Sequence, residues 1–260
     1  MYYIEYVIAL PFSLDQYRVG YLWSQLQFSK QETGGGSGVE FVEQRILTDP
    51  EPGKFTHRIY YLEKKFPKIV TSILPNKYFR VTEKSESFRN FTESKYSHDS
   101  ISDEKFSITL TSTSAESHKQ NIFNLTEEQL KSRKSIFVDI TKCFDEKDYE
   151  ESGDPTKFVS ERLKFGPLRG SDWVRETDCP NVLYIHKMYS INVAMPGIGH
   201  AKPKIIETLT RMMYKFYRQM FCWTDEWLHY SMQDVEELER VVKIELKKLR
   251  SDKEARGISS

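Results

Sequence analysis

The sequence has few cysteines, no net charge and no long apolar stretch, and each shortage excludes a class of protein. Three cysteines in 260 residues, far apart in the chain, predict a reduced, cytoplasmic protein rather than a disulfide-stabilised one. The 38 basic and 38 acidic residues cancel, which leaves no overall positive field for binding nucleic acid. The longest aliphatic run, residues 7–10, is four residues, far below the roughly 20 that a membrane-spanning helix needs.

Alternation of apolar and other residues predicts most of the strands. It occurs at residues 2–10, where Glu5 and the lack of a basic segment argue against a signal peptide. It recurs near residues 39–44, 55–62, 78–82, 106–113, 135–141 and 182–193.

Helices are expected in three places, and their position in the chain indicates the fold class. One covers residues 14–27 with Ser13 as its N-cap, and two longer ones cover residues 205–227 and 235–249. Because the predicted strands come first in the chain and the long helices come last, we expect an α+β fold with a largely antiparallel sheet. No change in composition divides the chain, so we expect one domain over residues 1–250 and a tail over residues 251–260.

No recognisable motif for catalysis or metal binding occurs. The sequence contains no GxSxG, HExxH, CxxC or GxxxxGK[ST] pattern, and its six histidines are scattered. We therefore expect no catalytic centre, no metal and no cofactor. The glycine tract at residues 34–38 lacks the lysine of a phosphate-binding loop and is typical of a flexible turn.

Charged residues lie on three otherwise apolar faces. Lys187 interrupts the apolar face of the strand near 182–193, Glu239 borders the apolar ridge of the last helix, and Arg58 shares a strand face with Thr56 and Tyr60. A buried charge is costly unless it is paired, so one explanation is internal salt bridges or stems that reach water. The other is a cavity with apolar walls and a polar anchor at one end, which suits an amphiphile.

Six segments carry motifs in a characteristic order along the chain: SKQETGGGSGVE (residues 29–40), FTHRIY (55–60), DPTKF (154–158), GPL (166–168), DCP (178–180) and RQMFCWTDEW (218–227). Together they resemble the class I phosphatidylinositol transfer proteins, and the resemblance runs from near residue 1 to about residue 250. It implies a START-like fold, in which a concave sheet and long helices enclose one phospholipid.

The resemblance also implies a function and its partners. Such a protein exchanges phosphatidylinositol and phosphatidylcholine between membranes, touches the membrane surface transiently, and is not an enzyme. We expect a cytoplasmic monomer. Two alternatives stay open: a lipid-presenting partner of phosphoinositide kinases with little bulk transfer, and a hydrolase built on the same cavity.

The resemblance suggests which residues contact the inositol headgroup. Thr56 matches a family threonine, Glu239 matches a family glutamate, and Arg58 replaces a family lysine, which keeps the charge but changes the donor geometry. The family asparagine position falls near Ser87.

The resemblance likewise suggests phosphate contacts and one regulatory site. The family lysine falls on Lys187, or on His186 if the segments are aligned without a gap, and the apolar-face pattern favours Lys187. Ser94 and Ser112 match family threonines, and Tyr21 stands in place of a glutamine. Ser160 matches a serine that is phosphorylated in relatives, with an unmodified loop serine as the alternative.

Membrane docking is expected at two segments. Relatives carry a tandem tryptophan where this chain has Met195, the single exposed hydrophobic residue expected there. The second docking segment contains four aliphatic residues, namely Ile69, Val70, Ile73 and Leu74.

Overall fold

The structure, a computed structural model, describes residues 1–63, 79–175, 179, 181–194 and 201–252. Its strands are β1 (Tyr2–Leu10), β2 (Gly38–Leu47), β3 (Gly53–Tyr61), β4 (Arg80–Ser87), β5 (Phe91–Ser97), β6 (Phe106–Ala115), β7 (Lys134–Val138) and β8 (Leu183–Val193). Its helices are α1 (Leu14–Glu32), α2 (Glu127–Ser132), α3 (Ala201–Cys222), α4 (Thr224–Trp227) and α5 (Met232–Ser251). The predicted α+β class is confirmed.

The eight strands form one sheet in the order β2-β3-β4-β5-β6-β8-β1-β7. All neighbouring strands are antiparallel except β1 and β7, which are parallel, so the prediction of a largely antiparallel sheet is also confirmed. β1 pairs with β8 along its whole length, from Tyr2 opposite Ile191 to Leu10 opposite Leu183. Since β1 is covered on both faces, nearly all of its residues are buried.

The strand period divides the sheet into two faces. The inner face packs against α1, α3 and α5, and it carries the apolar side chains of β1 and β8 that join the main core. The outer face buries Glu5, whose carboxylate accepts hydrogen bonds from Arg133 and from Nδ1 of His186, the latter at 2.8 Å. The charge of Glu5 is therefore paired where it is buried.

Capping boxes fix the starts of three helices. The side chains of Ser13, Thr126 and Ser231 each accept a hydrogen bond from the backbone amide three residues later. The side chain of that later residue accepts a hydrogen bond from the backbone amide of the cap residue. The predicted N-cap at Ser13 is confirmed. None of the helices in the described ranges is both long and apolar enough to span a bilayer.

A close helix contact explains why the predicted helix over 205–227 is in fact two helices. The chain turns at Trp223, and the indole of Trp227 then donates to the carbonyl of Met220 at 3.0 Å and packs edge-on against Phe12 at 4.9 Å between ring centroids. A Cβ added to Gly20 of α1 would lie 2.7 Å from the Trp227 ring. The helix axis must break so that this ring can enter the space over Gly20.

The glycine tract is a helix cap with defined contacts rather than only a flexible turn. The amides of Gly35 and Gly36 donate to the carbonyls of Asp252 and Arg250, at 3.0 and 3.1 Å, and both glycines have positive φ. The Arg250 guanidinium lies 4.3 Å from the Tyr61 ring centroid and bonds to Glu40. We call these contacts at the end of α5 the α5 clamp.

Candidate functional site

The inner face of the sheet carries three neighbouring rows of side chains that run across the strands. The first passes through Lys54, Ser87, Thr92, Ser112, Lys187 and Tyr6, the second through Gln44, Thr56, Ser85, Ser94, Leu110, Tyr189 and Ile4, and the third through Phe41, Arg58, Glu83, Tyr96, Ile108, Ile191 and Tyr2. On β3, β4 and β5 the rows are mostly polar, and on β6, β8 and β1 they are mostly apolar. The inner face therefore has a polar side and an apolar side.

Glu83 lies at the centre of the polar side. The residue is 3% exposed, and its carboxylate accepts hydrogen bonds from Tyr60 at 2.7 Å, Tyr96 at 2.9 Å and Arg58 at 3.4 Å. Burial first, and then the Glu83 charge, raise the pKa of both phenols, so both tyrosines remain donors. Glu83 was not predicted from the sequence, because the strand predicted over 78–82 ends before it. Continued alternation through Ser85 and Ser87 was the available signal.

Arg58 keeps one free donor in this buried setting. Its guanidinium bonds to Gln25 of α1 at 3.1 Å and lies over the Phe41 ring at 4.7 Å. Burial lowers the pKa of Arg58, but the charge of Glu83, together with Tyr60 and the charge of Glu239, raises it more, so the side chain stays charged. Among the described residues, Nε of Arg58 has no hydrogen-bond partner. The guanidinium thus forms an internal salt bridge, one of the two explanations considered from the sequence, and still has a donor to offer.

Glu239 projects from α5 into the same polar region. It is 2% exposed, forms a salt bridge with Lys54, and accepts a 2.7 Å hydrogen bond from Gln44. Gln44 in turn accepts from Lys243. The last helix is therefore joined to β2 and β3 through polar groups.

Lys187 lies on the inner face, and His186 lies on the outer one. Lys187 is 3% exposed, with its ammonium 4.8 Å from the centroid of the Tyr21 ring and 3.4 Å from the Tyr21 hydroxyl. Ser112 lies beside it on β6. The structure thus brings together three of the four residues predicted as phosphate contacts, Lys187, Ser112 and Tyr21, and places His186 against Glu5 on the opposite face.

Serine hydroxyls fill the space between these groups. Ser94 is buried and donates to Ser85 at 2.9 Å, while Ser87, at the end of β4, accepts from Thr92 at 3.3 Å. Ser94 therefore lies on β5, between Ser87 on β4 and Ser112 on β6, and it is two strands away from both Thr56 and Lys187. Small hydroxyl side chains leave room above the sheet there, while still offering donors and acceptors.

An apolar groove opens at the other side of the inner face. It has a volume of about 720 Å³ and runs between β1, β7 and the first half of α3, lined among others by Tyr2, Ile136, Ile206 and Thr210. Tyr6 lies beside this groove, since its hydroxyl is 2.8 Å from that of the lining residue Thr210. No group of three metal-ligating side chains occurs in the part of the chain that the structure describes.

Ser160 is fully buried away from these rows. Its hydroxyl donates to Asp225 at 2.5 Å and accepts from the amide of Leu163 at 2.9 Å, and Asp225 also accepts from the amides of Glu161 and Arg162. A kinase could reach this hydroxyl only after the segment leaves Asp225, so phosphorylation of Ser160 stays a prediction. Met195, Ile69, Val70, Ile73 and Leu74 lie outside the described residues.

The arrangement defines a class of protein with an α+β, START-like fold. Its sheet and long helices enclose an interior that is polar at one side and apolar at the other. The profile of the phosphatidylinositol transfer protein family matches residues 1–244. The chain therefore belongs to the phosphatidylinositol transfer protein family.

Three relatives illustrate how far the similarity extends. Phosphatidylinositol transfer protein 1 of Dictyostelium discoideum is 32% identical over 255 residues, covering 96% of each chain. The human phosphatidylinositol transfer protein beta isoform is 30% identical, covering 98% of this chain and 97% of its own length. The human membrane-associated phosphatidylinositol transfer protein 2 is 31% identical over 93% of this chain, which corresponds to 18% of that longer protein.

Proposed function

We propose that this protein carries one phospholipid at a time between membranes, with phosphatidylinositol and phosphatidylcholine as its cargo, and that it is not an enzyme. The observation that supports this most is the division of the inner face, in which buried ionic and hydroxyl groups on β3, β4 and β5 give way to an apolar groove at β1 and β7. A phospholipid has the same division between headgroup and chains.

The energetics of lipid chains explain why a closed interior is needed. Each methylene costs about 0.8 kcal/mol to expose to water, so a two-chain lipid does not leave a membrane unaided at a useful rate. An apolar sleeve removes that cost. A polar anchor made of many neutral hydroxyls and internally paired charges binds the headgroup weakly enough for release at the next membrane.

The inositol ring would bind at the polar side of the sheet. Thr56, Ser87 and the Nε group of Arg58 offer donors there, and the Glu239 carboxylate offers an acceptor. Ring hydroxyls need both kinds of partner, whereas choline has nothing to donate. These residues should therefore distinguish the two lipids.

The phosphate is common to both lipids and would bind at Lys187. The ammonium of Lys187, held beside Tyr21 and next to Ser112, is the cation on the inner face nearest the apolar strands. Ser94, two strands away, would contact the lipid between the phosphate and the inositol ring.

Headgroup choice can be tested by loading variants from vesicles that contain both lipids and reading the bound lipid by native mass spectrometry. Glu239→Ala and Thr56→Glu should abolish phosphatidylinositol loading and preserve phosphatidylcholine loading, while Lys187→Ala should weaken both by about 10- to 100-fold. Glu245→Ala, which removes an α5 carboxylate paired with Lys30 at the surface, is the matched control. Equal loss of both lipids in Glu239→Ala would show that Glu239 has only a structural role.

The proposal includes a cytoplasmic monomer that meets the membrane transiently. Bulk transfer between vesicles in a purified system, with no kinase present, separates a carrier from a protein that only presents lipid to a kinase. A carrier leaves the phospholipids intact during that assay, whereas a hydrolase cleaves them.

A further inference from the structure

A hydroxyl bridge joins β1 to α3 beside the apolar groove. The hydroxyl of Tyr6 lies 2.8 Å from that of Thr210, and Thr210 donates to the carbonyl of Ile206 at 2.7 Å. Because the Thr210 proton is used in that bond, Tyr6 is the donor in the bridge. Both side chains are buried.

The bridge separates two regions of the inner face. On one side, Thr210 and Ile206 line the groove. On the other side, Lys187 lies opposite Tyr6 on the neighbouring strand, and the Tyr189 ring packs edge-on against Tyr6 at 5.8 Å. A chain that starts from a phosphate at Lys187 and runs towards β7 therefore meets the Tyr6 ring before it reaches the groove.

We propose that the Tyr6–Thr210 bridge is a gate between the phosphate end of the site and the groove, and that it selects phospholipids by acyl-chain length. This inference rests on the proposed function. A short chain ends before the bridge, whereas a longer chain enters the groove only when the two hydroxyls separate.

Opening the bridge breaks the contacts of only one hydroxyl. Thr210 keeps its bond to the Ile206 carbonyl, whereas Tyr6 moves away from both Thr210 and that carbonyl, which lies 3.5 Å from its hydroxyl in the closed arrangement. The bridge itself is one neutral hydrogen bond, which makes it a moderate barrier rather than a permanent wall. Removing either hydroxyl should make the groove easier to enter.

The experiment compares the full chain with Tyr6→Phe, Thr210→Val and the double variant, all loaded from vesicles holding equal amounts of short-chain and long-chain phosphatidylcholine. Native mass spectrometry gives the ratio of long to short chains bound. That ratio should rise about 2- to 10-fold in each single variant, and the double variant should rise no further because both changes break the same bond. Thr113→Val, which removes a bonded hydroxyl from the outer face, is the control.

An unchanged ratio in both single variants, or the same rise in Thr113→Val, would overturn the gate. A second variant tests the groove itself without touching the bridge: Ile206→Trp fills it, so long chains should lose about fourfold in relative binding for each methylene excluded. A ratio of long to short chains that does not change in Ile206→Trp would also overturn the inference. A wild-type protein that binds no phospholipid at all would instead refute the proposed function, which is a distinct result.

Discussion

Glu83 shows how one residue can organise a polar interior. Its two oxygens accept hydrogen bonds from Tyr60 and Arg58 on β3 and from Tyr96 on β5, the two strands that flank β4. Because the carboxylate is buried, each donor offsets part of its lost hydration, and the carboxylate in turn keeps the Arg58 guanidinium charged and in place. We infer that Glu83 is a positioning residue for Arg58.

Replacing Glu83 by glutamine should therefore destabilise the fold strongly. Glu83→Gln keeps the size of the side chain but leaves Arg58 buried without its counter-charge, a change that costs about 3–5 kcal/mol in the free energy of unfolding. Denaturant unfolding measures this directly. Glu93→Gln, which affects the more exposed pair with Lys95 on β5, should cost less than about 1 kcal/mol. Similar losses in the two variants would contradict the role given to Glu83.

Asp225 should make the stability of the segment around Ser160 depend on pH. Burial raises its pKa, but hydrogen bonds from Ser160 and the amides of Arg162 and Glu161 lower it more, so the net pKa lies below the usual value. A lowered folded pKa gives stability that is present above the unfolded pKa, about 4, and lost as pH falls through the folded pKa.

Asp225→Asn should then be less stable than wild type by about 1.5–3 kcal/mol at pH 7, with the difference closing in acid below about pH 4. Unfolding free energies measured from pH 3 to pH 8 test this. Asp172→Asn, at a highly exposed pair with Arg175, should show no such trend. A difference that is constant over the whole pH range would show that the Asp225 charge is not responsible.

At the scale of elements, the sequence predicts best where apolar periodicity is strong. The strands at 2–10 and 182–193 were predicted to within one residue because their inner faces are almost entirely apolar. β5, with the sequence FTESKYS, was missed because hydroxyl and charged residues occupy both of its faces. The same polarity makes β5 part of the candidate site, so the missed strand and the missed Glu83 have one physical cause.

The break after α3 was missed for a different reason. The apolar period continues through Trp227, and nothing local in the sequence marks a turn at Trp223. The turn is set by the fit of Trp227 over Gly20, a contact between residues more than 200 positions apart. The site residues Lys187 and Glu239, by contrast, were identified from a charge on an apolar face, and their roles in binding lipid stay predictions.

The glycine tract should control the end of α5. Gly36 has a φ of 88° with open space where a Cβ would lie, so Gly36→Ala adds backbone strain of about 1–2 kcal/mol without a clash. We expect faster amide hydrogen exchange over the last turns of α5. Gly170→Ala is a matched control, because Gly170 has a φ of 73°, equally open surroundings and no place in the α5 clamp. Equal exchange in α5 for both variants would show that the tract does not hold the helix.

At the scale of the whole molecule, the polar and apolar sides of the interior require different parts of the chain to move. Glu239 and Gln44 attach α5 to the polar side, whereas α3 covers the apolar groove. A lipid that enters with its headgroup deepest must pass between these two helices and the sheet. Release of α5 breaks its hydrogen bonds and ion pairs with β2 and β3, which water can replace, and also exposes Val235, Val242 and Leu246, which are buried in the main core.

The α5 clamp should therefore set how readily the protein binds membranes, and two truncations isolate its contribution. Deletion of residues 251–260 removes Asp252, the acceptor for the Gly35 amide, whereas deletion of residues 253–260 retains it. Loss of one such hydrogen bond, worth about 0.5–1.5 kcal/mol, should raise the open population and vesicle association about 2- to 10-fold in the longer deletion. Sedimentation with phosphatidylcholine vesicles measures it. Unchanged or weaker binding after the longer deletion would exclude gating by α5, and an equal rise in both deletions would assign the effect to residues 253–260 instead of the clamp.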